Sequence, residues 1–444
     1  MNIPSVTAWT QWNLDNIPVP SSLEKKDLED IVIGACFFAS GGGGPIAVAQ
    51  NFLKDPVFKD NKVKLIHTKN LGDDPHKAAF VICDMGSPDA LMQNPDLGNT
   101  APVNASIALK EYLEKEVEGI ELKVCYLLPI ELGAVNTLLP FFVAAKIDPD
   151  IQVIDGDPAG RAVPTIGLTT LHTNANNAIG ICPAVVAPAD NPKVKRSPMT
   201  YLDSRIDPDT LEYAAGLLVK HWGKIGGLAC YPTDESLLTT SGRSGRNDAE
   251  NPQRLIQGSI GLCWDIGRRI HNGVRLSELL ATLKDPKGYG IKNNVLIENA
   301  TAIPVAGGQA ASILDVGKYI MRDDEGKEIW IYFQNENLLA YDPEAYQKHK
   351  KVEEGILAMG PDIITFLTYP EGKPVSNPDV QPCQRYTVIG MAADRRVRNT
   401  PMIINFQKAI NEILLQIDPG GDYDLVPYIP IELTDHWKWG SREF

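Results

Sequence analysis

Strands and helices alternate along the first third of this chain, and that alternation limits its possible folds more than any other feature. Apolar and β-branched runs at 63–67, 79–83, 122–128 and 151–155 read as strands, with helices predicted over 105–116 and 134–146. Such a succession predicts a largely parallel sheet covered on both faces. Three of the strands stop on acids: Val81-Ile82-Cys83-Asp84, the run from Val124 to Ile130 that leads into Glu131, and Val153-Ile154-Asp155-Gly156-Asp157. Ligands of open α/β sheets occupy the crevice beyond the carboxyl ends of the strands, so acids gathered there predict a site rather than a solvated face.

Ahead of these strands, Leu28, Ile31, Val32, Ala35, Cys36 and Ala39 recur at helical spacing. The helix they predict runs into Ser40-Gly41-Gly42-Gly43-Gly44-Pro45, and a second helix is expected over 46–53 with Pro45 in its first turn. Gly41, Gly42, Gly43 and Gly44 allow positive φ and close approach of backbone to a ligand, and the helix start offers N–H groups to a carboxylate or phosphate. The competing reading is a helix-to-helix turn that needs small residues for packing. The segment is neither a P-loop nor a G-x-G-x-x-G after a strand, so no nucleotide cofactor is expected.

Asp155 and Asp157, two residues apart at a strand end, suit either a shared divalent cation or a split between neutral acid and ionised base. Arg161 then clamps an anionic group or ties down one of the acids. In the alternative, Asp155 caps a helix and Asp157 pairs with Arg161. Glu131, after an apolar strand, is expected in the same crevice with the Asn136 amide, poorly solvated and suited to a general base. Cys83 is a nucleophile only if a cation or helix N-terminus lowers its pKa, and otherwise a buried thiol. Phe333-Gln334-Asn335-Glu336-Asn337-Leu338 closes a β-run with four polar side chains, which strand alternation divides between two faces unless a hairpin turn intervenes. The histidines, including His172 and His221, show no metal-binding spacing, and no G-x-S-x-G elbow occurs.

The 444 residues exceed one usual core, so several units are expected: an N-terminal arm (1–27), an α/β domain (28–165), a mixed middle region (166–295), a β-rich domain (296–400) and a C-terminal helix and tail (401–444). The arm is read as docking on a neighbour or on the body. In the middle region, helices are predicted over 209–221 and 253–271, with a polar, mobile-type loop at 239–247 between them. Short runs at 296–305, 311–321, 329–339, 362–368 and 385–391 predict antiparallel strands, and 401–416 a helix. The fold class is therefore α/β plus β. A net charge of −14 without a long basic run argues against nucleic acid or a membrane surface and favours a small-molecule substrate. Seven scattered cysteines, no C-x-x-C, no apolar span and no signal-like N-terminus fit a cytoplasmic protein, and aromatic-rich ends make a homo-oligomer plausible.

Five stretches, in this order, resemble the family listed as domain of unknown function 917, which includes S-methyl thiohydantoin desulfurase and whose members often occur beside hydantoinase and oxoprolinase subunits. They are Ala39 to Pro45, Pro129 to Pro140, Asp155 to Pro164, Phe333 to Leu338 and Met359 to Ile364, spread over roughly residues 30 to 395. The family commonly carries a glutamate after G-R-A-x-P, where this chain has Thr165. The resemblance implies an α/β part joined to a β-rich part and chemistry on a five-membered cyclic amide or its sulfur analogue. The expected function is a hydrolase in which Glu131, or a cation between Asp155 and Asp157, activates water, with Arg161 or the glycine turn stabilising developing charge. A substrate carboxylate is expected to rest on the glycine turn. The alternative is a non-catalytic subunit that binds a hydantoinase- or oxoprolinase-like partner.

Overall fold

The computed structural model describes residues 9–60, 62–86, 100–116, 122–173, 180–190, 199–202, 206–238, 254–309, 314–349, 351–418 and 426–434. Its first sheet is built from β1 (Ser22–Leu23), β2 (Val63–His67), β3 (Lys77–Gly86), β4 (Lys123–Pro129), β5 (Gln152–Asp157), β6 (Ala184–Ala187), β7 (Thr200–Leu202), β8 (Ile225–Asp234) and the short β9 (Ile256–Gln257). The strand order is β1-β2-β5-β4-β3-β8-β6-β7, with β9 paired to β5. The four central strands β2, β5, β4 and β3 run parallel, as the β/α alternation requires. β8 then pairs antiparallel with β3, and β6 and β7 continue the sheet. Thus part of the middle stretch of the sequence completes the first sheet.

The second sheet is antiparallel throughout. It contains β10 (Asn293–Gln309), β11 (Asp315–Arg322), β12 (Glu328–Gln334), β13 (Glu336–Tyr341), β14 (Ile356–Met359), β15 (Ile363–Thr368), β16 (Pro374–Val375) and β17 (Arg385–Met391), in the order β14-β13-β12-β11-β10-β17-β15-β16. The predicted strand over 329–339 is two strands here. Asn335 takes φ 54° and reverses the chain, so that Gln334 pairs with Glu336 across the turn. The expected alternation of faces fails at this point because Asn tolerates the left-handed conformation.

Two helices join the sheets. Lys25–Phe38, with Leu28, Ile31, Val32, Ala35 and Phe38 buried, packs on β15 and β16, and Ser259–His271 packs on β5. The two cross at small residues: a Cβ added to Gly34 would fall 1.8 Å from the Cys263 carbonyl oxygen. Such close approach lets one apolar core run from the first sheet through the helices into the second. The N-terminal arm docks on the body. The Trp12 backbone N–H donates to Asp394 (2.8 Å) and its indole N–H to the Ala392 carbonyl (3.0 Å). The helix Thr400–Ile417 closes the far side with Met402, Ile403, Phe406, Ile410 and Ile413 buried. The polar loop expected at 239–247 lies outside the described residues.

Candidate active site

The carboxyl ends of β3 and β4 open into a cleft that the start of β13 closes from the second sheet. The cleft encloses about 660 Å³ of empty space, part of it open to solvent, and is lined by Gly43, Gly44, Cys83, Asp84, Glu131, Asn136, Thr165, Glu212, Asn335 and Glu336 among others. It brings together, from distant parts of the sequence, Glu131, Asn136, Cys83, Gly43 and Gly44 of the positions read as site residues.

Glu131 is 4% exposed and held at both oxygens. Oε1 accepts from the Asn136 Nδ2 (2.7 Å) and Oε2 from the backbone N–H of Val163 (2.7 Å). Asn136 is itself fixed, because its Oδ1 accepts from the Asp84 backbone N–H (3.1 Å). Burial raises the Glu131 pKa to about 7, against the opposing effect of these two hydrogen bonds. A carboxyl oriented this firmly and tuned to neutral pH has the properties of a general base.

Its neighbours are also acids under desolvation. Asp84 is pushed well above the ordinary carboxylate range by burial, and neither of its oxygens has a hydrogen-bond partner among the described residues. Glu336, 3% exposed, is raised well above its usual value by burial and then by the Glu131 charge, and its Oε2 likewise has no partner among the described residues. Burial lifts Glu212 to about 8 while its Oε2 accepts from the Ile166 N–H (2.8 Å). The thiol of Cys83 faces the Leu228 carbonyl (Sγ–O 3.8 Å), and burial followed by neighbouring thiol and acid groups raises its pKa. With no cation lowering it, Cys83 lines the cleft as a neutral thiol rather than a nucleophile.

Asp155, Asp157 and Arg161 do not line the cleft. The Asp155 Oδ1 accepts from the Gly261 N–H (2.9 Å) and its carbonyl from Gly258 (2.9 Å), which ties β5 to the start of the helix Ser259–His271. The Asp157 Oδ2 accepts from the Ala159 (2.8 Å) and Gly160 (2.6 Å) amides of its own turn. Burial raises both acids to about 6. No helix starts at Arg161, so Asp155 does not cap the one expected there; it binds the start of a helix a hundred residues further on, and the expected shared hollow holding Glu131, Asp155 and Asp157 does not form. The two aspartates do not make a divalent-cation site either: Asp155 Oδ1 and Asp157 Oδ2 are taken by backbone amides, only the buried Asp157 Oδ1 is left without a partner among the described residues, and no three His, Cys, Asp or Glu among them converge as a metal site.

Arg161, 1% exposed, donates from Nε to the Ala162 carbonyl (2.8 Å), from Nη1 to Asp362 (2.6 Å) and from Nη2 to Asn337 (2.9 Å). It pairs with neither aspartate. Instead it joins the loop after β5 to β13 and the residues before β15. Burial lowers its pKa to about 10, opposed by the charges of Glu336, Asp362 and Glu131, so it supplies positive charge beneath the cleft acids without reaching a ligand.

The glycine turn serves close packing. A Cβ on Gly42 would meet the Glu336 Oε1 at 1.9 Å, one on Gly43 the Gly133 Cα at 2.4 Å, and one on Gly41 the Asn377 Oδ1 at 2.3 Å. The Gly43 carbonyl accepts from Val135 (3.0 Å) and Asn136 (3.3 Å), which sets the loop that carries Glu131 and Asn136. The following helix, Ile46–Phe52, is only seven residues long. Gly41 and Gly42 lie outside the cleft lining; Gly43 and Gly44 reach it.

Glu212 was absent from the sequence-based site, although the helix Pro208–His221 carries a signal for it. Glu212 shares the helical stripe of the buried Ala215, Gly216 and Val219, where an acid is out of place unless it faces a cavity. Asp84 and Glu336 stood within segments singled out in the sequence but were not assigned roles.

An α/β sheet and an antiparallel sheet meeting at an acid-lined cleft define a two-part, α/β-plus-β architecture. Models of the S-Me-THD-like N-terminal domain and the S-Me-THD-like C-terminal domain match residues 26–195 and 207–406, and the chain belongs to this family, that of domain of unknown function 917. Membership suggests a function of the thiohydantoin desulfurase kind. A crystal structure of a protein from Chromobacterium violaceum is similar with a TM-score of 0.70 at 24% identity, over 92% of this chain and 99% of that one, which shows the shared fold. No curated protein matches the chain. No helix of the described residues is long and apolar enough to cross a membrane.

Proposed function

We propose that the protein hydrolyses an S-alkyl thiohydantoin or a closely related five-membered cyclic amide in the cleft, with Glu131 as general base. The observation that carries this reading is the double anchoring of Glu131, by Asn136 and the Val163 amide, at a pKa of about 7 inside a family whose name refers to such rings. Water attacks the ring C=N carbon that bears sulfur, and Glu131 takes one of its protons. The π electrons move to the ring nitrogen, which receives the proton of the neutral Glu336 carboxyl. The C–S bond then breaks, and the departing sulfur leaves as a thiol with the proton held by Glu131. As the new C=O forms, its hydroxyl proton returns to Glu336. The products are the ring amide and a thiol, and both acids regain their starting states.

Proton transfer of this kind contributes roughly 10²–10⁴-fold. The test is to incubate the purified protein with 2-methylthio-imidazol-4-one rings and follow thiol release with a disulfide reagent. Release dependent on enzyme concentration supports the reading. A protein that releases no thiol yet copurifies with an oxoprolinase-type chain favours the non-catalytic subunit.

A further inference from the structure

One short segment of the cleft wall is strung between two acids. Val163, Pro164, Thr165 and Ile166 all line the cleft. At one end the Val163 N–H donates to the Glu131 Oε2 (2.7 Å), and at the other the Ile166 N–H donates to the Glu212 Oε2 (2.8 Å). Pro164 between them has no N–H to offer. The carbonyl side of the segment is tied elsewhere: Thr165 O accepts from the Leu168 N–H (3.0 Å), and Ile166 O from the hydroxyls of Tyr231 (3.1 Å) and Thr169 (3.3 Å). Tyr231 is wholly buried and holds φ 51°, a conformation unfavourable for a bulky side chain. Strain of this kind persists only where the surroundings over-determine it, and here it accompanies a hydroxyl that holds the segment.

Glu212 takes no step in the reaction proposed above, yet its carboxyl is what the Ile166 N–H meets. We infer that Glu212 is a positioning residue for Glu131: by holding the Ile166 end of the segment, it keeps the Val163 N–H on the carboxylate that takes a proton from water. Its bearing on catalysis rests on the proposed function; its hold on Glu131 does not. Without Glu212 a buried N–H is left unpaired, which is costly, and the segment turns to satisfy it and draws Val163 off Glu131. The groups that act on the charge of Glu131 are Asp157 and Arg161 from the end of β5 and the loop after it, Glu336 from β13, Cys83 from β3 and Glu212 itself. Removing Glu212 separates two effects by sign. Loss of an acidic neighbour loosens the proton on Glu131, whereas loss of the Val163 N–H, which favours the ionised form, tightens it.

The experiment follows the side-chain carboxyl of Glu131 by carbon-13 NMR across pH in the full-length protein, its signal identified by its absence from a Glu131→Gln variant. Glu212→Leu and Glu212→Ala delete the acceptor, Glu212→Gln keeps an acceptor oxygen without the charge, and thermal melts define the folded fraction of each. The two deletions are expected to tighten proton binding at Glu131 by about tenfold, the scale of one hydrogen bond to a charged group, and Glu212→Gln to leave it unchanged or looser. In thiol release, the acid limb of the kcat/KM profile should move to higher pH in the deletions alone. An unchanged or loosened Glu131 proton in the deletions overturns the inference, as does a tightening shared by Glu212→Gln. Failure of both deletions to fold where Glu212→Gln folds overturns it too, since Glu212 is then scaffold alone. A tightened Glu131 proton in the deletions, with no thiol released by the wild-type protein, sinks the hydrolase reading and leaves the positioning role standing. Thiol release with an unmoved Glu131 proton does the opposite.

Discussion

Glu131, Asp155 and Asp157 are acids of similar burial that differ in what their surroundings ask of them. Asp155 and Asp157 bind the amides of a helix start and a turn, whereas Glu131 is gripped by one side-chain and one main-chain N–H and still borders the cleft. Asp155→Ala should therefore cost about 1–2 kcal/mol of stability, as loss of a helix cap does, with thiol release retained in the folded fraction. Denaturant melts and the thiol assay, run on one preparation, check this, and loss of turnover at unchanged stability would return Asp155 to the chemistry. Glycines divide in the same way. Gly43 has φ 63° and no room for a Cβ beside Gly133, whereas Gly273 has φ 74° and nothing within 4 Å. Gly43→Ala should cost about 3 kcal/mol or more through overpacking added to backbone strain, and Gly273→Ala only about 1 kcal/mol. Comparable midpoints in urea for the two variants would show that the glycine turn is not a packing seam.

Elements were more legible in the sequence than the site. The parallel strands, most strands of the second sheet and the helices at 208–221 and 400–417 follow from periodicity and turn residues, because those signals are local, whereas the short edge strands Ile356–Met359 and Pro374–Val375 carry too few residues for such a signal. The run over 329–339 reads as one strand from its apolar pattern, and the reversal at Asn335 follows the hairpin-turn alternative that its polar residues Gln334 to Asn337 left open. Within the site, Glu131 and Asn136 were legible because they follow a strand whose carboxyl end faces the crevice. Asp155 and Asp157 follow a strand too, yet β9 and the helix Ser259–His271 come from a hundred residues further on to cover them. Arg161 was misread for the same reason: its partners are carbonyls of Asp362 and Asn337, and a carbonyl leaves no residue-type signal in a sequence. Glu336 and Glu212 reach the cleft only through long-range packing that no spacing rule encodes.

For the molecule as a whole, the cleft exists because two sheets meet, and the junction concentrates acids where water is scarce. That arrangement has a cost that pH exposes. Folded-state pKa values of about 7 for Glu131 and about 8 for Glu212 stand above the ordinary 4.5, so the folded protein holds these protons more tightly than the unfolded chain. Their stabilising contribution is complete below about pH 4.5 and disappears as pH climbs through about 7 and 8. Thermal midpoints should fall between pH 5.5 and pH 8.5, and Glu212→Gln should flatten that fall. A midpoint that rises over the same range would mean that these acids are ionised and compensated in the native state. The most direct test of the central claim is thiol release from a 2-methylthio-imidazol-4-one ring by Glu131→Gln beside the wild-type protein. The account predicts a fall in kcat of roughly 10²–10⁴ with ring binding preserved in the folded fraction, which melts define because the new amide NH2 faces one of the two N–H donors, Asn136 Nδ2 or Val163 N, that hold the carboxylate. Unchanged kcat in that variant would contradict it.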